Sequence, residues 1–225
     1  MTRKTNSRIA GFTFLFYIAV GISSQIVSAR SEGGEGIAAK LSAIAHHASG
    51  VHLTLVLSLL ECFSALVLAV TLYALTRDED PDLAMLALTC RVAEGVLAGA
   101  GMQRTLALLW LATATGTDAP DGATARALGG LLSQGNFATG ATFFAVGSTL
   151  FSWLLLRGRM IPTALAWIGV VASVLLVVGL PLQLAGVLYG SFTLLMWIPM
   201  LVFEVPLAFW LLIKGAAMPA RTRVA

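Results

Sequence analysis

Residues 51–76 read VHLTLVLSLLECFSALVLAVTLYALT, with Glu61 as the only Asp, Glu, Lys or Arg among them. A helix rises about 1.5 Å per residue, so this run is longer than the roughly 20 residues that cross the ~30 Å hydrocarbon core of a bilayer. The whole chain has the same character, with a mean hydropathy of +0.88 and only 11% charged residues, against roughly 25% in soluble domains. The sequence therefore predicts an integral membrane protein.

Further apolar runs flank this stretch on both sides and are long enough to cross the bilayer. Together they give predicted spans at about 9–28, 51–76, 83–113, 137–157, 163–188 and 192–214. The 225 residues hold these spans and short connections. We therefore expect one all-α domain over 1–225, a polytopic membrane bundle of six transmembrane helices.

Six spans place both termini on one side, and basic residues predict which side this is, because cytoplasmic loops carry an excess of Lys and Arg. The side of the termini holds Arg3, Lys4, Arg8, Arg77, Arg157, Arg159, Lys214, Arg221 and Arg223. The other side holds Arg30, Lys40 and Arg126. This asymmetry predicts that both termini are cytoplasmic.

The segments around the spans carry weaker signals. The first span also has the pattern of a signal peptide cleaved after residues 27–29, which would leave five spans in the same orientation. Residues 37–48 have apolar side chains at helical spacing and predict a short interfacial helix. Residues 114–136 are expected to turn over the outer surface without forming a domain, and the acidic turn 78–82 to be solvated and to cap the third span.

Four charged residues fall near the middle of the predicted spans: Glu61, Arg91, Glu94 and Glu204. Arg104 lies nearer the outer end of the third span, where an arginine can reach the interface. A charge at the bilayer centre costs about 2.5–3.5 kcal/mol, so such groups usually pair or serve an ion or substrate path. Counting the helical rise from the span ends puts each of the four about 12–18 Å deep, in one layer near the midplane. Arg91 and Glu94 are three positions apart and are expected to pair. Three carboxylates exceed one guanidinium, so we expect at least one to be protonated or neutralised by a cation.

Prolines are predicted to kink the helices around this layer. Pro199 and Pro206 flank Glu204 in the sixth span, and Pro181 lies in the fifth. Each lacks the N–H that would bond the carbonyl four residues earlier, and interrupted helices near the midplane are typical of transporter binding sites. Kinks without a functional role are the alternative, since prolines are common in membrane helices.

Two glycine pairs have the i, i+4 spacing that lets membrane helices approach closely. They are Gly95 with Gly99 and Gly186 with Gly190. Packing within the bundle is one interpretation, and a homo-oligomer face is the other.

Other binding and catalytic chemistry finds little support in the sequence. His46, His47 and His52 cluster at one span end, but adjacent histidines in a loop point in different directions, so we interpret them as solvated and expect no metal or other cofactor. Basic residues are scattered over helix ends, which argues against nucleic acid. No catalytic motif is present, so an enzyme is unsupported and no catalytic residue is predicted.

Several short motifs, in this order and at these places on the spans, resemble one family over nearly the whole chain. They are RIAG at 8–11, RVAE at 91–94, IP at 161–162, AWIG at 166–169, Glu204, and WLLIKG at 210–215. They are similar to a bacterial family of integral membrane proteins known as domain of unknown function 4386. The resemblance implies a six-helix bundle in the inner membrane and no established activity, catalytic residue or cofactor. Ala216 departs from the aromatic residue that is usual there in the family.

Two functions remain open. In the first, Glu61, Arg91, Glu94 and Glu204 bind a proton, a cation or a small solute in a transporter-like site. In the second, the same charges only lock helices together in a structural or interaction protein. A weaker third alternative is an intramembrane enzyme that uses the carboxylates as acid and base. A wet cavity that reaches Glu204 would favour the first, and a dry, fully paired cluster the second.

Overall fold

The structure is a computed structural model that describes residues 2–117, 119–134 and 138–219. In these ranges all regular structure is helical: α1 (Arg3–Ser31), α2 (Ile37–His46), α3 (Ala48–Thr76), α4 (Pro81–Thr113), α5 (Gly122–Ser133), α6 (Ala138–Arg157), α7 (Thr163–Leu184), α8 (Phe192–Leu195) and α9 (Ile198–Ile213). Six apolar helical segments are long enough to cross a membrane: Arg3–Ser31, Ala48–Thr76, Pro81–Thr113, Gly122–Arg157, Thr163–Leu184 and Phe192–Ile213. This confirms the predicted class, an all-α membrane protein with six candidate spans.

The chain divides into two compact units. The first unit comprises Met1–Tyr17, Phe63–Gly95 and Phe137–Ala225, and the second comprises Ile18–Cys62 and Val96–Asn136. Helices α1, α3 and α4 contribute residues to both. Buried apolar side chains from α1, α3, α4, α6, α7 and α9 fill the core of the first unit. A smaller core in the second unit is built around Ile44, Val51, Leu108 and Leu109.

Helix α5 lies in the connection that the sequence predicted only to turn over the surface. Its start is fixed by Asp121, whose Oδ1 accepts a hydrogen bond from the backbone N–H of Thr124 at 2.7 Å. This bond holds the pKa of Asp121 below its usual range. A Cβ at Gly129 would lie 2.9 Å from Cγ2 of Ile37, so α5 packs closely on α2, the short helix that the sequence did predict. The three glycines of α5 concealed it, because glycine disfavours helices.

The fifth span ends earlier than predicted, and one of the two glycine pairs is not helical. Helix α7 ends at Leu184, and Gly186 and Gly190 both have φ +69. This left-handed backbone suits glycine and cannot continue a right-handed helix. The helix face predicted for this pair is therefore wrong. Gly95 and Gly99 do lie in α4, and a contact between two copies there stays a prediction.

The sixth span is divided into α8 and α9, with Met196 and Trp197 between them. Pro199 is the second residue of α9, a position that suits proline because the first turn of a helix needs no N–H donors. The kink predicted at Pro199 is therefore a helix start. Pro181 and Pro206, in contrast, lie inside α7 and α9, as predicted.

The acidic turn before α4 is less solvated than predicted. Glu79 is buried, and its Oε1 lies 3.2 Å from Nε of Arg157 at the end of α6. Asp80 also pairs with Arg157, at 3.1 Å, and its Oδ1 accepts a hydrogen bond from the backbone N–H of Leu83. The capping role is confirmed. The prediction that this turn is solvated is wrong for Glu79, because Arg157 at the end of α6 packs against it. The sequence alone did not show that these two segments meet.

Helices α1 and α9 approach so closely at Gly11 that a methyl group there would meet backbone atoms. A Cβ at this position would lie 2.6 Å from the carbonyl oxygen of Ala208 and 2.7 Å from the amide nitrogen of Leu212. We expect Gly11→Ala to destabilise the protein by about 1–3 kcal/mol through overpacking, measured as a lower thermal unfolding temperature in detergent. Gly101→Ala is the control, because a Cβ there would have no atom within 4 Å beyond its chain neighbours and the backbone of its own helix. Equal unfolding temperatures for the two variants would contradict this packing.

Candidate functional site

The site is built around Arg91, whose side chain is the largest fully buried one among the described residues. Its Nη1 lies 2.8 Å from Oε2 of Glu94, one helical turn further along α4. Arg91 is 2% exposed and Glu94 is 8% exposed. The structure thus forms the ion pair that the spacing of three residues predicts. Both charges are buried, so each depends on its partner.

Aromatic side chains complete the surroundings of this pair. The hydroxyl of Tyr17 donates a hydrogen bond to Oε1 of Glu94 at 3.0 Å. The guanidinium carbon of Arg91 lies 4.7 Å from the ring centroid of Phe144 and 5.8 Å from that of Tyr17. Cation–π attraction of this kind reaches about 2 kcal/mol when the cation is desolvated. The two rings therefore offset part of the hydration that Arg91 loses.

A glycine on α6 makes the space for the arginine. A Cβ at Gly147 would lie 3.0 Å from Cγ and 3.1 Å from Cδ of Arg91, and 3.2 Å from the carbonyl oxygen of Ala87. Any larger residue would therefore press against both the arginine stem and the backbone of α4. Gly147 is as much a part of the site as the charged residues.

The ion pair does not satisfy the whole guanidinium. Nε and Nη2 of Arg91 are buried and have no hydrogen-bond acceptor within the described residues, and a buried donor without an acceptor costs about 1–3 kcal/mol. Arg91 also lines a small cavity together with Ser148, Ser152 and Glu204. The cavity measures about 10 Å³, close to the minimum for one water molecule. This arrangement suits a single small acceptor beside the arginine.

Glu204 brings a second carboxylate to this cavity from α9. It is 6% exposed and lies within electrostatic range of Arg91 and Glu94. With all three groups ionised the site would carry one excess negative charge, and one bound proton would make it neutral. Glu94 already holds the arginine and the Tyr17 hydrogen bond, so Glu204 is the group best placed to accept that proton.

Glu61, the fourth charged residue of the predicted layer, belongs to the second unit, whereas Arg91, Glu94 and Glu204 belong to the first. Its Oε1 lies 3.2 Å from the position that a Cβ on Gly21 would take. The absence of a side chain at Gly21 therefore leaves room for this carboxylate against α1. A shared role for Glu61 and the arginine site stays a prediction.

Sequence reasoning missed several residues of the site: Tyr17, Phe144, Gly147, Ser148 and Ser152. Two signals could have found some of them. Tyr17 lies in the middle of the first span, away from the interfaces where tyrosine is enriched. Ser148 and Ser152 are four residues apart and so share one face of α6. Phe144 and Gly147 gave no such signal, because their roles depend on which helix packs beside α4.

A metal site is not formed by the part of the chain that the structure describes: no three His, Cys, Asp or Glu side chains come together there. Nδ1 of His46 lies 2.8 Å from the carbonyl oxygen of Ser42, and Nδ1 of His47 lies 3.1 Å from that of Ala43. Both histidine rings thus contact carbonyl oxygens of α2.

Comparison with known proteins gives one result. The model of the family described as domain of unknown function (DUF4386) matches residues 9–215. No curated protein and no solved structure matches the chain. The matched range includes Arg91, Glu94 and Glu204 but attaches no activity to them.

Removing the arginine tests how far the site depends on it. We expect Arg91→Ala to lower stability by about 3–5 kcal/mol, because it leaves Glu94 buried without its partner. The unfolding temperature in detergent measures this loss. The double variant Arg91→Ala/Glu94→Gln should recover part of it, since no unpaired charge then remains. Arg104→Ala, at an exposed position of the same helix, is the control, and an equal loss in Arg91→Ala and the control would contradict the pairing.

Proposed function

Because the chain belongs to the DUF4386 family, a domain of unknown function, we propose its activity from the site itself: Arg91, Glu94 and Glu204 form a proton-binding, transporter-like site. The observation that carries this proposal is the shared cavity. An arginine with uncommitted N–H donors and an additional carboxylate line the same buried space. Structural ion pairs rarely need either feature, whereas an exchangeable proton needs both a group that binds it and a charge that stabilises the deprotonated state.

The dimensions of the cavity favour a proton over the other ligands considered. Solute pockets measure about 300–1,000 Å³, and this cavity measures about 10 Å³. A cation would also meet the positive charge of Arg91 on the cavity wall. A proton carried by one water molecule satisfies both limits.

The proposed cycle has two states of Glu204. When Glu204 is ionised, the unpartnered donors of Arg91 attract it, directly or through a water molecule. When Glu204 is protonated, the charge–charge attraction is lost and Glu94 is the one ionised partner that the site offers Arg91. Pro206 lies two residues beyond Glu204 and lacks the N–H that would bond the carbonyl of Val202. This weakens α9 beside the titrating group, so we propose that α9 moves when the proton binds or leaves.

A purely structural role is the second candidate. Three contacts favour a structural role, because each would also fix helix packing. They are the Tyr17 hydrogen bond, the ring of Phe144 against Arg91 and the close fit at Gly147. The two candidates differ at Glu204. A structural cluster has no use for proton exchange there, whereas the transporter-like site depends on it.

The proton assignment is tested by flux across proteoliposomes that contain a pH-sensitive dye. We expect the wild-type protein to dissipate an imposed pH gradient. Glu204→Gln should do so at least about tenfold more slowly, since glutamine cannot take up a proton. Glu35→Gln is the matched control, because Glu35 is exposed in the connection before α2 and should keep the full rate. Wild-type flux no faster than in empty liposomes, or unchanged flux in Glu204→Gln, would contradict the proposal.

The same assay decides whether Glu61 takes part. We expect Glu61→Gln to reduce the rate if the second unit supplies a further step of the proton path. A full rate in this variant would confine the site to Arg91, Glu94 and Glu204.

We further propose that the protein lies in the bacterial inner membrane with both termini in the cytoplasm, on the charge asymmetry of its loops. A fluorescent protein fused after Gly215 should then be bright, and alkaline phosphatase inserted after Thr117 should be active. The fluorescent protein is bright only on the cytoplasmic side of that membrane, and alkaline phosphatase is active only on the other side. The reverse result would overturn the assigned orientation.

A further inference from the structure

A second cavity lies at the end of the first unit, away from the proton site, and shares no lining residue with it. It is a groove of about 470 Å³ between the α6–α7 turn and the end of α9, lined by Arg159, Met160, Ile161, Pro162, Trp210, Lys214, Gly215, Ala216 and Ala217. This volume falls within the range of small-molecule sites. The groove can therefore hold a ligand that the buried cavity cannot.

The charged residues that line the groove are all positive. Arg159 and Lys214 contribute two cations, and the lining residues include no Asp or Glu. Both side chains are exposed. Lys214 follows the last turn of α9 and caps it through its backbone N–H, bonded to the carbonyl of Trp210. A ligand that fits this groove is expected to be an anion.

The walls of the groove are fixed by hydrogen bonds. The N–H of Ala217 donates to the carbonyl of Met160 at 2.8 Å, and the N–H of Ala216 donates to Oγ of Ser7 at 3.0 Å. Nε of Arg3 donates to the carbonyl of Ala217 at 3.0 Å. The segment after α9 is thereby tied to the α6–α7 turn and to α1. The shape of the groove is therefore held by the fold itself.

The backbone at Arg159 is strained. Its φ is +50, and every other described residue with positive φ is a glycine. Non-glycine residues rarely adopt this region, and those that do cluster at functional sites. Glycine would relieve this strain but would remove the guanidinium that lines the groove.

The groove lies where lipid headgroups are expected. It is formed by the start of the candidate span Thr163–Leu184 and the end of Phe192–Ile213, and helix ends meet the membrane surface. Trp210, a residue typical of that level, lines the groove, and its indole N–H has no acceptor within the described residues.

We propose that this groove binds a phosphate group with a net negative charge, with the headgroup of an anionic phospholipid as the source. The planar guanidinium of Arg159 has a geometry that matches phosphate oxygens, and Lys214 adds a point charge. Basic pockets at the ends of membrane helices bind anionic headgroups in this way. A soluble phosphate ester carries the same group, so the two sources are separated by experiment.

The test compares lipid binding by the full-length protein and two double variants. Arg159→Gln/Lys214→Gln removes both cations of the groove. Lys4→Gln/Arg8→Gln removes two exposed cations that do not line it and is the matched control. Each protein is titrated in detergent with short-chain phosphatidylglycerol, with phosphatidylcholine and with glycerol phosphate, and bound species are counted by native mass spectrometry. Equal unfolding temperatures establish that the variants are folded.

We expect wild type and control to bind phosphatidylglycerol more tightly than phosphatidylcholine, and the groove variant to bind it roughly thirtyfold more weakly, at about 1 kcal/mol per lost charge. Weak binding of glycerol phosphate would assign the site to the lipid. Tight binding of glycerol phosphate that the groove variant loses would assign the same site to a soluble ester. An equal loss in both double variants, or no preference for the anionic lipid, would overturn the proposal.

Discussion

The structure of the first unit depends on one buried charge, that of Arg91. A guanidinium at this depth requires compensation, and three helices supply it: α4 provides the carboxylate of Glu94, α1 the hydroxyl of Tyr17 that supports this carboxylate, and α6 the ring of Phe144. The side chain also needs space, which Gly147 provides. The residues around Arg91 are therefore those that make a buried cation tolerable.

Within the described residues, this compensation leaves some hydrogen-bond donors of Arg91 unpaired and provides one negative charge too many. The guanidinium retains donors without acceptors, while Glu204 adds a carboxylate beyond the one that the charge balance needs. A cavity of about one water molecule joins the two. In the proposed function one proton resolves the imbalance, and its arrival or departure changes what holds Arg91. A site that only locked helices together would be more stable without Glu204, whereas a proton-binding site cannot work without it.

Much of this could be predicted from single residues, and the remainder depends on how the helices pack. The cost of charge in lipid identified Arg91, Glu94 and Glu204, and their spacing on α4 predicted the pair. Tyr17 and Gly147 matter only because α1 and α6 pack beside α4, and no local pattern reveals such neighbours. The error at Gly186 has a related cause, since the spacing of two glycines does not show whether the backbone between them is helical. Helix α5 was missed because three of its twelve residues are glycine, which has low helix propensity. Its capping aspartate and its packing on α2 override this propensity.

The central claim is that the buried site holds one proton, bound at Glu204. Infrared difference spectroscopy of the protein in lipid bilayers, recorded between two pH values, measures this directly, because a protonated carboxyl group has a C=O stretch that a carboxylate lacks. The account predicts one protonated-carboxyl band that titrates with pH, is absent from Glu204→Gln and persists in Glu35→Gln. A spectrum without such a band, or one that Glu204→Gln leaves unchanged, would contradict it.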